Sequence, residues 1–195
     1  MKDSRVDLYA FVYRGVLADE AIRQALPSTD DSDAKQPERD IQRRMPLDSL
    51  DDGLVLAARK MAWVYIAIAA FENSIRSFIE ERLLEKVGAT WWDTAVSSSI
   101  RNDAEKRKKD EEQIRWHGSR GTSHLSYVQL EELALIIQNN HDHFKDLIPT
   151  VEWAREIFRS LARSRNVIMH SGQLTLADVE RVAMNIRDWV RQVGA

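Results

Sequence analysis

From about residue 51 to residue 87 the chain is built of alanine, leucine, isoleucine and long charged side chains, without a proline, and Gly88 ends the run. Such residues lose little conformational freedom in a helix, so the segment is expected to be one long helix and the spine of the domain around it. A spine of this kind selects helix-on-helix packing. Strand patterns are nearly absent elsewhere, whereas apolar residues spaced three and four apart recur. Helices are expected from Ser126 or Tyr127 through Ile137, from Pro149 to about Ser171 with Gly172 as the stop, and from Leu176 to about Gln192. The last of these opens on Thr175-Leu-Ala-Asp178, which resembles a capping box. The expected fold class is all-α, an antiparallel helical bundle.

Residues 7 to 26 contain helix formers, and Pro27-Ser-Thr-Asp-Asp-Ser-Asp stops that pattern, so 27 to 49 is expected to be a polar linker. This gives an N-terminal helix and linker over 1–49 and a helical domain over 50–195. Within the latter, Ser97 to Arg120 is a charged helical insertion in which both signs mix, the pattern of a solvated helix laced by i,i+4 pairs rather than an RNA-contacting arm. The run Met61 to Phe71 is shorter than the roughly 20 apolar residues of a membrane span, so it is expected to be a buried core helix. Trp63, Trp153 and Trp189 are likewise expected in the core.

A chain of 195 residues can bury one sizeable core. It has no cysteine, which excludes disulfides, thiolate metal sites and thiol catalysis, and a cytoplasmic location is the default expectation. The N-terminus, with Asp3 and Asp7, does not read as a secretory signal, and no membrane partner is expected. Neither a Walker-type phosphate loop nor a G-x-S-x-G nucleophile elbow is present.

The net charge is −3, but its distribution is uneven. Residues 1 to 58 hold eight Lys/Arg against twelve Asp/Glu, whereas residues 155 to 170 hold Arg155, Arg159, Arg163 and Arg165 against Glu156 alone. That basic stretch ends in Arg165-Asn166-Val-Ile-Met-His170. An arginine binds phosphate through a planar fork of donors, and a histidine can move a proton near neutral pH without a metal, so the pair suits phosphodiester chemistry. With twenty arginines and five histidines, an Arg five positions before some His is about a coin toss; Asn after the Arg lowers the chance to a few per cent.

At about 100° per residue, Arg159, Arg163, Asn166 and His170 share a stripe of roughly 60°, and Arg165 is placed on the shoulder between Leu161 and Met169. Arg165 and His170 then diverge by about 140°, so one straight helix cannot bring both to one phosphate. Either the last turn unwinds before Gly172, or two copies of the helix meet in one cleft; the second arrangement is the expected one. His141 and His143 would point about 200° apart on a helix, which speaks against a metal site.

The chain resembles the HEPN superfamily, whose hallmark is Arg, usually Asn, and then His on a late helix of an α-bundle. The closer resemblance is to its Swt-one-like branch, carried by Phe71-Glu72-Asn-Ser-Ile-Arg76, Trp91-Trp92, the charged stretch 97 to 120, and Arg165-Asn166…His170, over about residues 50 to 193. The resemblance implies a homodimeric endoribonuclease that uses neither metal nor cofactor, with its cleft at the two-fold interface. In bacteria such proteins are often toxins or phage-defence effectors, which implies an antitoxin or defence-complex partner. The subgroup paired with nucleotidyltransferase antitoxins has a tyrosine two residues after the histidine; this chain has Gly172, so control through that tyrosine is not expected.

On this basis His170 is the expected general base or acid in attack of the RNA 2′-hydroxyl on phosphorus, and Arg165 holds the phosphate oxygens. Asn166 orients the imidazole or holds a phosphate oxygen. Arg159 and Arg163 contact the RNA backbone. Glu72 and Arg76 form an i,i+4 pair among Ile68, Phe71, Ile75 and Ile79, near the core or cleft; an ordinary helix salt bridge is the leading reading, and support of the site the other. Two alternatives use the same residues differently. One is a non-catalytic dimerisation or RNA-binding module, and the other a regulatory subunit whose acidic arm, residues 1 to 50, docks a partner or masks the basic cleft.

Overall fold

The computed structural model describes residues 31–193, and contacts divide the chain into two units with their boundary between Asp52 and Gly53. The first unit contains helix α1 (Asp31–Arg44) and a 3-10 turn at Leu47–Ser49. A helix thus occupies much of the stretch expected to be a linker. Its composition hid it: α1 lacks an apolar stripe and holds Pro37, but Arg43 and Arg44 sit in its last turn, where cations oppose the helix dipole. The expected helix over residues 7 to 26 lies outside the described residues.

The second unit contains α2 (Asp52–Val87), α3 (Trp91–Ala95), α4 (Ser98–Glu112), a 3-10 turn at His124–Tyr127, and α5 (Leu130–Asn139). A further 3-10 turn at His141–His143 leads to α6 (Val151–Met169) and α7 (Leu176–Val193). No strand occurs among the described residues. The fold is all-α.

α2 has 36 residues, about 54 Å of helix, and its two halves differ. In the second half Ile68, Phe71, Ile75, Ile79 and Leu83 recur every three or four residues and are buried. They form one core with Leu133, Ile136 and Ile137 of α5 and Ile157, Phe158 and Leu161 of α6. Trp189 of α7 closes the aromatic end, with ring centroids 5.1 Å from Phe158, 5.5 Å from Trp153 and 5.9 Å from Phe71. Trp189 and Trp153 therefore pack where the sequence placed them.

The first half of α2 corrects two expectations, that Trp63 is a core residue and that the run Met61 to Phe71 is a buried helix, since only Val64, Ile68 and Phe71 of that run are buried. Trp63 is 73% exposed rather than a core residue, and Leu56, Tyr65 and Ile66 are exposed as well. Val64 is the one buried residue of α2 before Ile68. Apolar residues surround this half of the helix, but one stripe suffices to reach the core, so the rest remains uncovered. Among the described residues α2 is the one helix long and apolar enough to cross a membrane, and 17% of that window is buried. Its second half belongs to the core.

The charged helix α4 is more than a solvated rod. Lys109 and Glu105 form an i,i+4 pair, while Ile100 and Ala104 are buried. Arg107 grips Glu132 of α5 with both terminal nitrogens, at 2.7 and 2.8 Å, and donates to the Tyr127 carbonyl. The Glu132 hydrogen bond holds the Arg107 guanidinium above its ordinary pKa, so the tether stays charged at any working pH.

Candidate active site

α6 carries its core contacts on one stripe, Ala154, Ile157, Phe158, Leu161 and Ala162, all buried. Arg165 follows Leu161 and Ala162 at i+4 and i+3 and is half-buried, at the edge of the core-facing stripe. A cation at that register needs a compensating charge. Glu72 of α2, 8% exposed, supplies it: its Oε2 is 3.7 Å from Arg165 Nε. The other oxygen, Oε1, accepts a hydrogen bond from Arg76 Nη2 at 2.6 Å.

Arg76 is in turn fixed by the backbone beyond α4, donating to the Leu125 carbonyl at 2.8 Å and the Val128 carbonyl at 3.1 Å. The resulting order, Leu125 and Val128 to Arg76 to Glu72 to Arg165, ties α2, the 3-10 turn and α6 together. The 3.7 Å approach is through Nε, and Arg165 makes no hydrogen bond among the described residues. Its terminal fork is available, and a third of the side chain is exposed.

The helix stays regular through Met169 and ends in a two-bond cap. Ser171 donates to the Ile168 carbonyl at 2.9 Å and Gly172 to the Val167 carbonyl at 2.8 Å, the pattern of a Schellman motif. The left-handed residue is Ser171, with φ at 61°, and not Gly172 as the sequence suggested. Gly172 is required for another reason: a Cβ there would lie 2.7 Å from Val167 Cγ1 and 2.8 Å from the Val167 carbonyl oxygen. His170 is the C-cap residue, exposed, its N–H donating to the Asn166 carbonyl at 3.1 Å. The side chain of Asn166 is exposed on the same stripe.

Arg159 and Arg163 lie on the side of α6 away from Glu72. With Ser160, Ser164 and Val167 they form one wall of a groove of about 510 Å³, whose other wall is Leu174, Asp178 and Arg181 at the start of α7. Arg159 pairs with Glu156, and Arg181 with Asp178 at 2.9 Å. Hydrogen bonds from the Thr175 hydroxyl and backbone N–H, and then the charge of Arg181, hold the Asp178 carboxyl below its ordinary pKa. The expected site residues thus fall into two groups within one chain. Arg165, Glu72 and Arg76 cluster on the α2 side, Arg159 and Arg163 face α7, and His170 is the exposed cap at the end of the helix.

Sequence reasoning did not find the α7 wall. Thr175 and Asp178 read only as a capping box, and nothing in the sequence singles out Arg181 three residues later. His141, considered as a metal ligand, has its Nε2 2.9 Å from the Ile148 carbonyl and sits in a 3-10 turn. Among the described residues no group of three His, Cys, Asp or Glu side chains could hold a metal ion.

The family model for Swt1-like HEPN matches residues 67–194, well over half of the chain. The chain belongs to the Swt1-like HEPN family. No curated protein and no solved structure matches it. The HEPN match begins at the point on α2 where the packed half starts with Ile68, and takes in Glu72, Arg76 and the whole of α6 and its cap. Membership in this HEPN family points to RNase-type function in general.

Proposed function

We propose that this HEPN chain is a metal-independent endoribonuclease that acts as a homodimer. The observation that carries this reading is the contrast at the end of α6. Arg165 has a buried carboxylate against its Nε and an uncommitted terminal fork, and His170, one turn and a half later, is exposed at the helix end. A fork oriented from behind suits bidentate binding of a phosphate. The imidazole suits proton transfer.

In the proposed reaction the 2′-oxygen of a ribose attacks the adjacent phosphorus and the bond to the 5′-oxygen breaks. His170 takes the 2′-hydroxyl proton or delivers one to the departing 5′-oxygen, and Arg165 stabilises the charge on the phosphoryl oxygens. The products are a 2′,3′-cyclic phosphate and a 5′-hydroxyl. Arg159 and Arg163 contact the strand's backbone.

The regular helix through Met169 leaves Arg165 and His170 about 140° apart, which favours a second copy over unwinding. The uncovered apolar face of α2 supports the same partner. The Leu174 N–H reaches Met61 Sδ at 3.3 Å, so the turn after His170 is continuous with the half of α2 that exposes Trp63, Tyr65 and Ile66. A second copy covering that face brings the two α6 ends to one interface.

Purified protein incubated with total RNA in EDTA is expected to cleave it, and Arg165→Ala and His170→Ala each to abolish cleavage. Activity persisting in both variants would remove the mechanism. The Arg165–Glu72 pairing favours one second reading, in which the motif only holds helices together. Intact RNA at high protein excess, with loss of the dimer in Arg165→Ala, is its signature.

A further inference from the structure

We propose that the groove between α6 and α7 is a subsite for the phosphates that flank the cleaved bond, with Arg163 and Arg181 as its cations. The proposal rests on the ribonuclease reading above and adds a wall from α7 that the motif does not contain. The groove, about 510 Å³, is of a size that takes a nucleotide-sized group. Three arginines line it against two carboxylates. Each carboxylate has its own arginine, Glu156 with Arg159 and Asp178 with Arg181, and Asp178 is further engaged by Thr175. Arg163 has no ion-pair partner among the described residues, so the balance of charge in the groove is positive and resides there.

The hydroxyl groups point the same way. Ser160 Oγ accepts from Asn185 Nδ2 at 3.0 Å, which leaves its own proton to donate, and Ser164 stands one turn on in the same wall. Cations and hydroxyl donors together match phosphate oxygens. Val167 and Leu174, which bracket the His170 turn in the chain, also line the groove. Arg163 precedes His170 by seven residues, about 10 Å along the helix axis, so these cations meet neighbouring phosphates rather than the one being cleaved.

The test measures binding of a fluorescent, single-stranded 2′-O-methyl oligoribonucleotide, which cannot be cleaved, as a function of salt. Its comparisons are wild type, Arg163→Gln, Arg181→Gln, the double variant, and Arg187→Gln, an exposed α7 position outside the groove. Each groove variant is expected to weaken binding about three- to tenfold and to lower the salt slope by about 0.7, and the double variant by about 1.4. Arg187→Gln should match wild type. On cleavable RNA the groove variants should raise KM with kcat kept.

Unchanged affinity and slope in the double variant, alongside normal cleavage, would overturn the subsite and leave the nuclease reading standing. Wild type that binds the oligonucleotide but cleaves no RNA would remove the nuclease reading alone. A parallel titration with adenosine monophosphate separates the two sources of phosphate. Tight nucleotide binding lost in Arg163→Gln, with RNA affinity unaffected, would assign the groove to a free nucleotide and overturn the proposal.

Discussion

Glu72 stands behind Arg165, its Oε2 3.7 Å from the guanidinium Nε, while its other oxygen is bonded to Arg76 at 2.6 Å. One buried carboxylate therefore serves two guanidinium groups. Removing it leaves two cations against each other at the edge of the core, whereas removing Arg165 leaves Glu72 still paired. Glu72→Ala is expected to cost about 3 kcal/mol and Arg165→Ala about 1 kcal/mol in urea denaturation. Equal losses would mean that Glu72 does not act as the shared partner. The same contrast matters for function, because Arg165→Ala should then be folded and inactive.

The sequence placed α2, α6 and α7 to within a few residues, because Gly88, Gly172 and the Thr175–Asp178 pair are strong local stops and starts, but it missed the short α3 and carried the charged helix beyond Glu112, where α4 ends. It could not show which half of α2 is covered. Trp63 and Phe71 belong to one apolar run, and only the packing of α5, α6 and α7 against the second half distinguishes them. The wheel separated Arg165 from the Arg159–Arg163 stripe, but Glu72 as the partner of Arg165 depends on a contact between residues far apart in the chain. Arg181 was hidden for the same reason.

Trp63 and Trp189 should respond in opposite ways. Trp189→Ala removes the ring on which Phe71, Phe158 and Trp153 pack, and a loss of about 3–5 kcal/mol is expected. Trp63→Ala should leave unfolding of the monomer nearly unchanged but raise the dimer dissociation constant at least about tenfold, as read by analytical ultracentrifugation. A dimer indifferent to Trp63 would place the interface elsewhere.

The cap after His170 offers two substitutions of opposite sign. Ser171 holds a left-handed backbone that glycine adopts without penalty, so Ser171→Gly should stabilise by about 0.5–1 kcal/mol. Gly172→Ala would drive a methyl group into the Val167 carbonyl, and a loss of about 1–3 kcal/mol is expected. Thermal denaturation of the two variants beside wild type checks both signs.

The start of α7 is sensitive to acid. The Asp178 carboxyl is held below its ordinary value by Thr175 and then Arg181, so the stability it contributes is present above the unfolded-state pKa, about 4, and lost as pH falls through the lower folded value. Thr175→Ala removes the leading cause. Its melting temperature should lie below that of wild type at neutral pH, and the gap should narrow as pH falls, leaving the part due to the cap bond from the Asp178 N–H to the Thr175 hydroxyl. A gap independent of pH would contradict the linkage.

The most direct measurement of the central claim uses a synthetic RNA cleaved at a known bond, with a single 2′-deoxy substitution at the ribose 5′ to that bond. If Arg165 and His170 promote attack by the neighbouring 2′-oxygen, wild type in EDTA yields a 2′,3′-cyclic phosphate end from the unmodified strand, and the substituted strand is not cut there. Cleavage of the deoxy-substituted bond, or products ending in a 3′-hydroxyl, would contradict the account.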